Sequence, residues 1–284
     1  YSKEITNVQI LLEHLKKRIN SLLKNWLIWS ILFYLFFFST TPVKDHLVRV
    51  AWEMEDAVWF LFSLWTIDLI YSFVTLVVNK CKVHFKRSKI IELILICVFL
   101  IVPILSLGFI GVKMGFSFLG IKYTLYYLIY FTIGNFVAKY QIFLDTKLKM
   151  GGVVFTVALI LFALSMNIFH IYDMPDDKFN IIIRFVISIL GCYCCIKIAS
   201  STPLKILKNP IVLYIGKSSL EIYVIQLFTL HFLKTMGNQG ALNAIGFGYC
   251  ILDFIVVTLL SFLIIEIIKT NNICSKILFS KSKF

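Results

Sequence analysis

Charge is scarce in this sequence. Only 15% of its 284 residues are Asp, Glu, Lys or Arg, where a soluble protein carries about a quarter. Sixty per cent are apolar, including 27 Phe, 13 Tyr and 5 Trp. A soluble domain of this size cannot hide that much apolar surface, so the chain reads as an integral membrane protein. Proline and glycine are also few, 5 and 13, which excludes collagen-like and low-complexity disordered chains. The seven cysteines are scattered and give no disulfide framework. Cys192, Cys194 and Cys195 lie together, but no His or second Cys pair stands near them, so no metal is expected. Glycine-rich phosphate loops and a nucleophile elbow are missing as well. Acidic residues number 15 against 28 basic ones. That excess does not point to nucleic acid, because the basic residues are divided among loops and lack interleaved aromatic readers.

What is present is a series of long apolar runs. In hydrocarbon every backbone amide must pair internally, so spans are helices or closed barrels. The runs are continuous and of helix length, about 17 to 25 residues, without the alternation of barrel strands. Eight are expected, at roughly 26–40, 57–78, 90–112, 118–138, 151–171, 179–199, 211–233 and 242–268. The seventh is the most polar, and its first third reads as a tilted or interfacial turn. The fold class is therefore all-α: one polytopic transmembrane helical bundle, 1–284, with no soluble domain or internal repeat.

Orientation follows from Lys and Arg. Segments 1–25, 79–89, 139–150, 197–210 and 269–284 hold 20 of the 28, and the alternate segments hold six. Cytoplasmic loops are the basic ones, which places both termini in the cytoplasm. Residues 5–23 carry Ile5, Val8, Leu12, Leu15, Ile19 and Leu22 at spacings of three and four. That pattern predicts an amphipathic helix lying on the cytoplasmic face.

Ionisable groups inside a span are costly unless they pair or face water, so each is a functional candidate. Asp68 falls in the second span, Arg184 in the sixth, Asp253 in the eighth, and Lys217 and Glu221 in the seventh. Arg184 with Asp253, and Lys217 with Glu221, read as ties between elements or as the lining of a polar cavity. The five His are far apart; His170 and His231, near outer span ends, suit a proton transfer there or simple solvation. Trp59 reads as an interfacial belt aromatic. These features alone do not separate a transporter from an enzyme.

Five stretches together resemble acyltransferase family 3, the membrane-bound acyltransferases that include O-acetyltransferases of bacterial surface polysaccharides. They are HLKKRINSLLKNWLIWSILFY at 14–34, VWFLFSLWTIDLIY at 58–71, YYLIYFTIGNFVAKY at 126–140, YIGKSSLEIYVIQ at 214–226 and ILFSK at 277–281. Departures accompany the match. Ser21 stands where the family has a second Arg, Lys24, Asn25 and Trp26 where it has Pro-x-Tyr, and Gln226 where it has His. Family members carry two further spans ahead of the region matched here, the first bearing a catalytic His. The resemblance therefore implies that those spans precede Tyr1.

The resemblance implies acyl transfer from cytoplasmic acetyl-CoA, as co-substrate, to a sugar hydroxyl of a surface polysaccharide or lipid-linked glycan, in a bacterial cytoplasmic membrane. Lys16, Lys17 and Arg18 are the expected ligands of the CoA phosphates, with an anchor for anionic lipid as the alternative. An acceptor hydroxyl needs a general base, and the carboxylates available are Asp68 and Glu221. Ser219, Tyr223 and Gln226, at i, i+4 and i+7 of one helix face, are candidates to hold the sugar, or else pack. A transporter or flippase of lipid-linked glycan and a non-catalytic membrane partner remain the alternatives.

Overall fold

In the computed structural model every regular element is helical among the described residues, which are 7–52, 58–82, 94–100, 121–140, 152–168, 178–201, 208–233 and 244–279, with three single positions between them. The expected run 90–112 lies largely outside them, as do His84, His170 and most of the loops. The chain divides into two compact units, residues 1–134 with 218–284, and residues 135–217.

The first unit is built on α1, Val8–Phe38, continuous over 31 residues. Here the expectation of a separate surface helix is corrected. No Pro or Gly interrupts residues 8–38, so the amphipathic stretch runs on into the first apolar run. Within it lies a π-helical turn at Ile19–Leu23, where the Lys24 N–H reaches back to the Ile19 carbonyl. A second π-helical segment, Tyr34–Phe38, ends the helix. Only part of the expected apolar set faces protein. Leu11, Leu22, Asn25, Trp29 and Phe33 are buried, while Val8, Leu12 and Ile19 stay exposed. A helix apolar on both sides suits a lipid surround better than water.

Against α1 packs α3, Trp59–Lys82, of 24 residues, preceded by the short α2, Val43–Trp52. Leu11 and Leu15 of α1 meet Leu76 of α3. Further along, Leu22, Trp29 and Phe33 form one core with Val58, Leu61, Val224, Ile225, Ile265 and Phe279. The later members come from α8, Ser219–Leu233, α9, Ala244–Thr270, and the end of α10, Asn272–Leu278. Asn271 caps α10 by accepting the Ile273 and Cys274 amides. The Trp29 indole donates to the Leu278 carbonyl at 3.0 Å, fixing α10 to α1. His231 lies edge-on to Phe33 and beside Phe37, an aromatic packing role. Part of α4, Ile121–Tyr140, also belongs here: Tyr127 packs on Trp59 and Phe60.

The second unit contains α5, Gly152–Ile168, α6, Lys178–Ser201, and α7, Pro210–Lys217. Gly191 of α6 lets Phe162 of α5 come close; a Cβ there would stand 2.7 Å from the ring's Cε2. Gly191→Leu is therefore expected to cost about 1–3 kcal/mol through overpacking, read as a lower melting temperature in detergent. Gly134→Leu, where a Cβ meets nothing within 4 Å, is the neutral control.

Among the described residues two helices are long and apolar enough to cross a membrane, Val8–Phe38 and Trp59–Cys81. The pair Pro210–Lys217 and Ser219–His231 makes a third if it is one broken span. Its interruption at Ser218 falls in the first third of the seventh expected run, where a turn was anticipated. Shorter apolar helices occupy Thr124–Ala138 and Val154–Ser165.

Candidate active site

Asp68 lies nine residues into α3, on the side facing α1, and is 5% exposed. A carboxylate this buried needs charge-assisted partners. Two come from α1. His14 Nε2 stands 2.7 Å from Asp68 Oδ2, and Arg18 Nε stands 3.2 Å from the same oxygen. Residues four apart on a helix share a face, so one turn of α1 delivers both groups to one acceptor. They interrupt the buried apolar stripe between Leu11 and Leu22. The π-helical turn begins at the next residue, Ile19, and such turns concentrate at functional sites.

The chemistry follows from donor and acceptor capacity. An ionised carboxylate only accepts, so the His14 Nε2–H donates to Asp68, which fixes the tautomer and leaves the Nδ1 lone pair available. Among the described residues Nδ1 has no partner. Arg18 neutralises Asp68 through Nε, and its two terminal nitrogens have no protein partner among the described residues. The Arg18 side chain is 40% exposed. The group thus combines an oriented imidazole with an open guanidinium fork suited to phosphate or carboxylate oxygens.

The arrangement joins two residues singled out in the sequence, Asp68 and Arg18, with one passed over, His14. It places Asp68, one of the two carboxylates available as a base, in contact with both His14 and Arg18. It also divides the basic trio. Lys16 and Lys17 are exposed, and at about 100° per residue Lys16 projects nearly opposite Arg18.

A second charged group closes the break before α8. Ser218 is the N-cap, its carbonyl accepting the Ile222 amide at 2.8 Å, and Ser218-x-x-Glu221 has capping-box spacing. Lys269 of α9 places Nζ 2.9 Å from Glu221 Oε2 and donates to Ser218 Oγ at 3.1 Å. The four-residue spacing of Lys217 and Glu221 looks along one stretch of chain; the structure adds a cation from a different helix. Glu221 is 2% exposed and the Lys269 side chain 25%, so Lys can reach water when the pair is broken and Glu cannot. Lys269→Ala is therefore expected to cost about 3 kcal/mol and Glu221→Ala about half that, by the logic of broken buried pairs. Denaturation monitored by tryptophan fluorescence distinguishes the two; equal costs contradict the assignment.

Of the proposed sugar-binding stripe, Ser219 is exposed and Tyr223 and Gln226 are half-buried. Tyr223 lies edge-on to Phe60 of α3, centroids 5.6 Å apart. Arg184 and Asp253 belong to separate units. Among the described residues no group of three or more His, Cys, Asp or Glu is placed to hold a metal.

These features define a helical membrane protein with a buried carboxylate holding an imidazole and a guanidinium. The chain belongs to acyltransferase family 3: the family's acyltransferase domain matches residues 5–266. The match takes in His14, Arg18, Asp68, Ser218 and Glu221 and ends three residues before Lys269. Searches of curated proteins and of solved structures gave no match.

Proposed function

We propose that this protein transfers an acyl group, acetyl in the simplest case, from cytoplasmic acyl-CoA to a sugar hydroxyl of a cell-surface polysaccharide or lipid-linked glycan. The observation that carries the reading is the 2.7 Å contact of His14 with buried Asp68 in a chain of this family. It supplies the general base that carboxylates alone do not. His14 Nδ1 takes the proton of the acceptor hydroxyl as that oxygen attacks the thioester carbonyl carbon. The carbon–sulfur bond breaks, and His14 returns the proton to the departing thiolate, giving the ester and free CoA. Asp68 holds the ring in one tautomer and stabilises the imidazolium while it exists. The open fork of Arg18, with exposed Lys17 at its flank, suits the phosphates of CoA.

Purified protein in lipid nanodiscs, supplied with acetyl-CoA and a panel of glycan acceptors, is expected to release free CoA thiol and to label the acceptor. Movement of a lipid-linked glycan across the bilayer without acetyl-CoA would instead favour a flippase. Neither activity would leave a non-catalytic membrane partner.

A further inference from the structure

The chain beyond the matched acyltransferase domain, which ends at residue 266, has a chemistry of its own. Residues 267–284 carry four lysines, Lys269, Lys276, Lys281 and Lys283, and no Asp or Glu. Ile273 and Ile277 stand four apart among them, the spacing of neighbours on one helix face. Asn271, in an extended conformation, ends α9 and caps α10, so α10 is a separate helix and not a continuation. One side of α10 is fixed to the protein. Ser275 is buried, and Phe279 joins the core and stacks on Trp29. The Trp29 indole donates to the Leu278 carbonyl, and Lys24 Nζ donates to the Lys276 carbonyl at 3.3 Å. At about 100° per residue, Ile273 and Ile277 project nearly opposite Ser275. They are 70% and 46% exposed. Before the break α9 carries a ridge of the same kind: Leu259, Leu263 and Ile267, four apart, are each more than half exposed. Contiguous aliphatic surface of this extent marks an interaction site.

We infer that α10 lies in the headgroup layer of the membrane, with Ile273 and Ile277 among acyl chains and Lys276 on the phosphate of an anionic phospholipid. The inference is independent of the acyl-transfer reading above. Two observations choose lipid over another occupant. The exposed ridge of α9 leads in sequence directly to Ile273 and Ile277, so one apolar surface serves both helices. The charge at its edge is of one sign. Lys276 is exposed and projects about 60° round the helix from Ile273. From there its stem can lie on hydrocarbon while its ammonium reaches a phosphate. An apolar face edged by lysine is the pattern of helices that rest in an anionic interface. So short a helix gains its position from α1, which holds its inner side through Trp29 and Lys24.

Benzoylphenylalanine placed at Ile273 or at Ile277, one at a time, inserts into a neighbouring C–H bond on illumination and so reports what covers that position. Both sites are exposed, so each protein should keep the wild-type melting temperature. In liposomes of equal parts phosphatidylcholine and phosphatidylglycerol, mass spectrometry is expected to find phospholipid adducts at both, with phosphatidylglycerol in excess. The same probe at Asn272, on the polar flank of α10, should give a several-fold lower yield. Lys276→Gln should lower the ratio of phosphatidylglycerol to phosphatidylcholine adducts about fivefold, the scale of one lysine near an anionic surface. A crosslinked dimer of this chain, or a crosslink within the chain, in place of lipid overturns the inference. So does a lipid yield at Ile273 and Ile277 no higher than at Asn272. Equal labelling by the two lipids, or a ratio that Lys276→Gln leaves unchanged, overturns the assignment of Lys276 to an anionic headgroup. None of these readouts uses turnover, so each outcome leaves the transferase reading to its own test.

Discussion

His14→Gln is expected to lower kcat by about 10²- to 10⁴-fold, the range that a positioned general base supplies. Glutamine keeps the length and polarity of the side chain and can still donate to Asp68, so the contact between α1 and α3 survives. What it cannot do is take and return a proton. Melting temperature and elution volume should therefore stay at their wild-type values while turnover falls, and KM for acetyl-CoA should change little, because His14 acts on the proton and not on the phosphates. Steady-state release of CoA thiol at saturating acceptor measures this directly. A His14→Gln protein with wild-type kcat would return His14 to a structural tie between helices. A protein that fails to fold is separated from one that fails to turn over by its melting curve.

Asp68→Asn is expected to cost both activity and stability, in unequal measure. The amide oxygen can still accept from both partners, which meet a single oxygen of Asp68, but the negative charge that strengthens both bonds is lost. His14 is then held by a neutral acceptor that stabilises its protonated form far less. Where an orienting carboxylate is neutralised in this way, turnover falls by orders of magnitude with the geometry otherwise intact; about 10³-fold is expected here. The stability loss should be smaller, about 1–2 kcal/mol, because Arg18, at 40% exposure, can turn to solvent when its anion goes. Asp68→Ala should be no more active than Asp68→Asn. In the double variant with His14→Gln the activity losses should fall well short of adding, as they do for residues that act as a unit. Kinetics and chemical denaturation on the four proteins of this cycle give both results.

Much of this was legible in the sequence, for identifiable reasons. Long apolar runs announce helices because backbone amides in hydrocarbon have no other partners, and the helices at 59–82, 152–168 and 178–201 fall where those runs are. The polarity of 214–221 anticipated the interruption at Ser218. Asp68 stood out because a carboxylate inside an apolar run needs a reason to be there. His14 did not stand out, because it lies in a basic stretch whose periodicity suggested a helix resting on the membrane surface. That periodicity was real but ambiguous: Val8, Leu12 and Ile19 form one apolar side of α1, Leu11 and Leu22 another, and only packing against α3 chooses between them. The available signal was the pair His14 and Arg18, four apart and in phase with Leu11 and Leu22. Its meaning depends on Asp68, 54 residues away in sequence from His14. Glu221 stood out, but its partner Lys269 was hidden in the same way, by a contact between helices that no local spacing records.

The most direct measurement of the central claim is transfer of radiolabel from [¹⁴C]acetyl-CoA to a glycan acceptor by the protein in nanodiscs, wild type against His14→Gln, in a single turnover. The expected result is labelled, base-labile ester on the acceptor with the wild type and a rate at least about 10²-fold lower with the variant. Equal rates for the two proteins would contradict the role given to the imidazole that Asp68 holds.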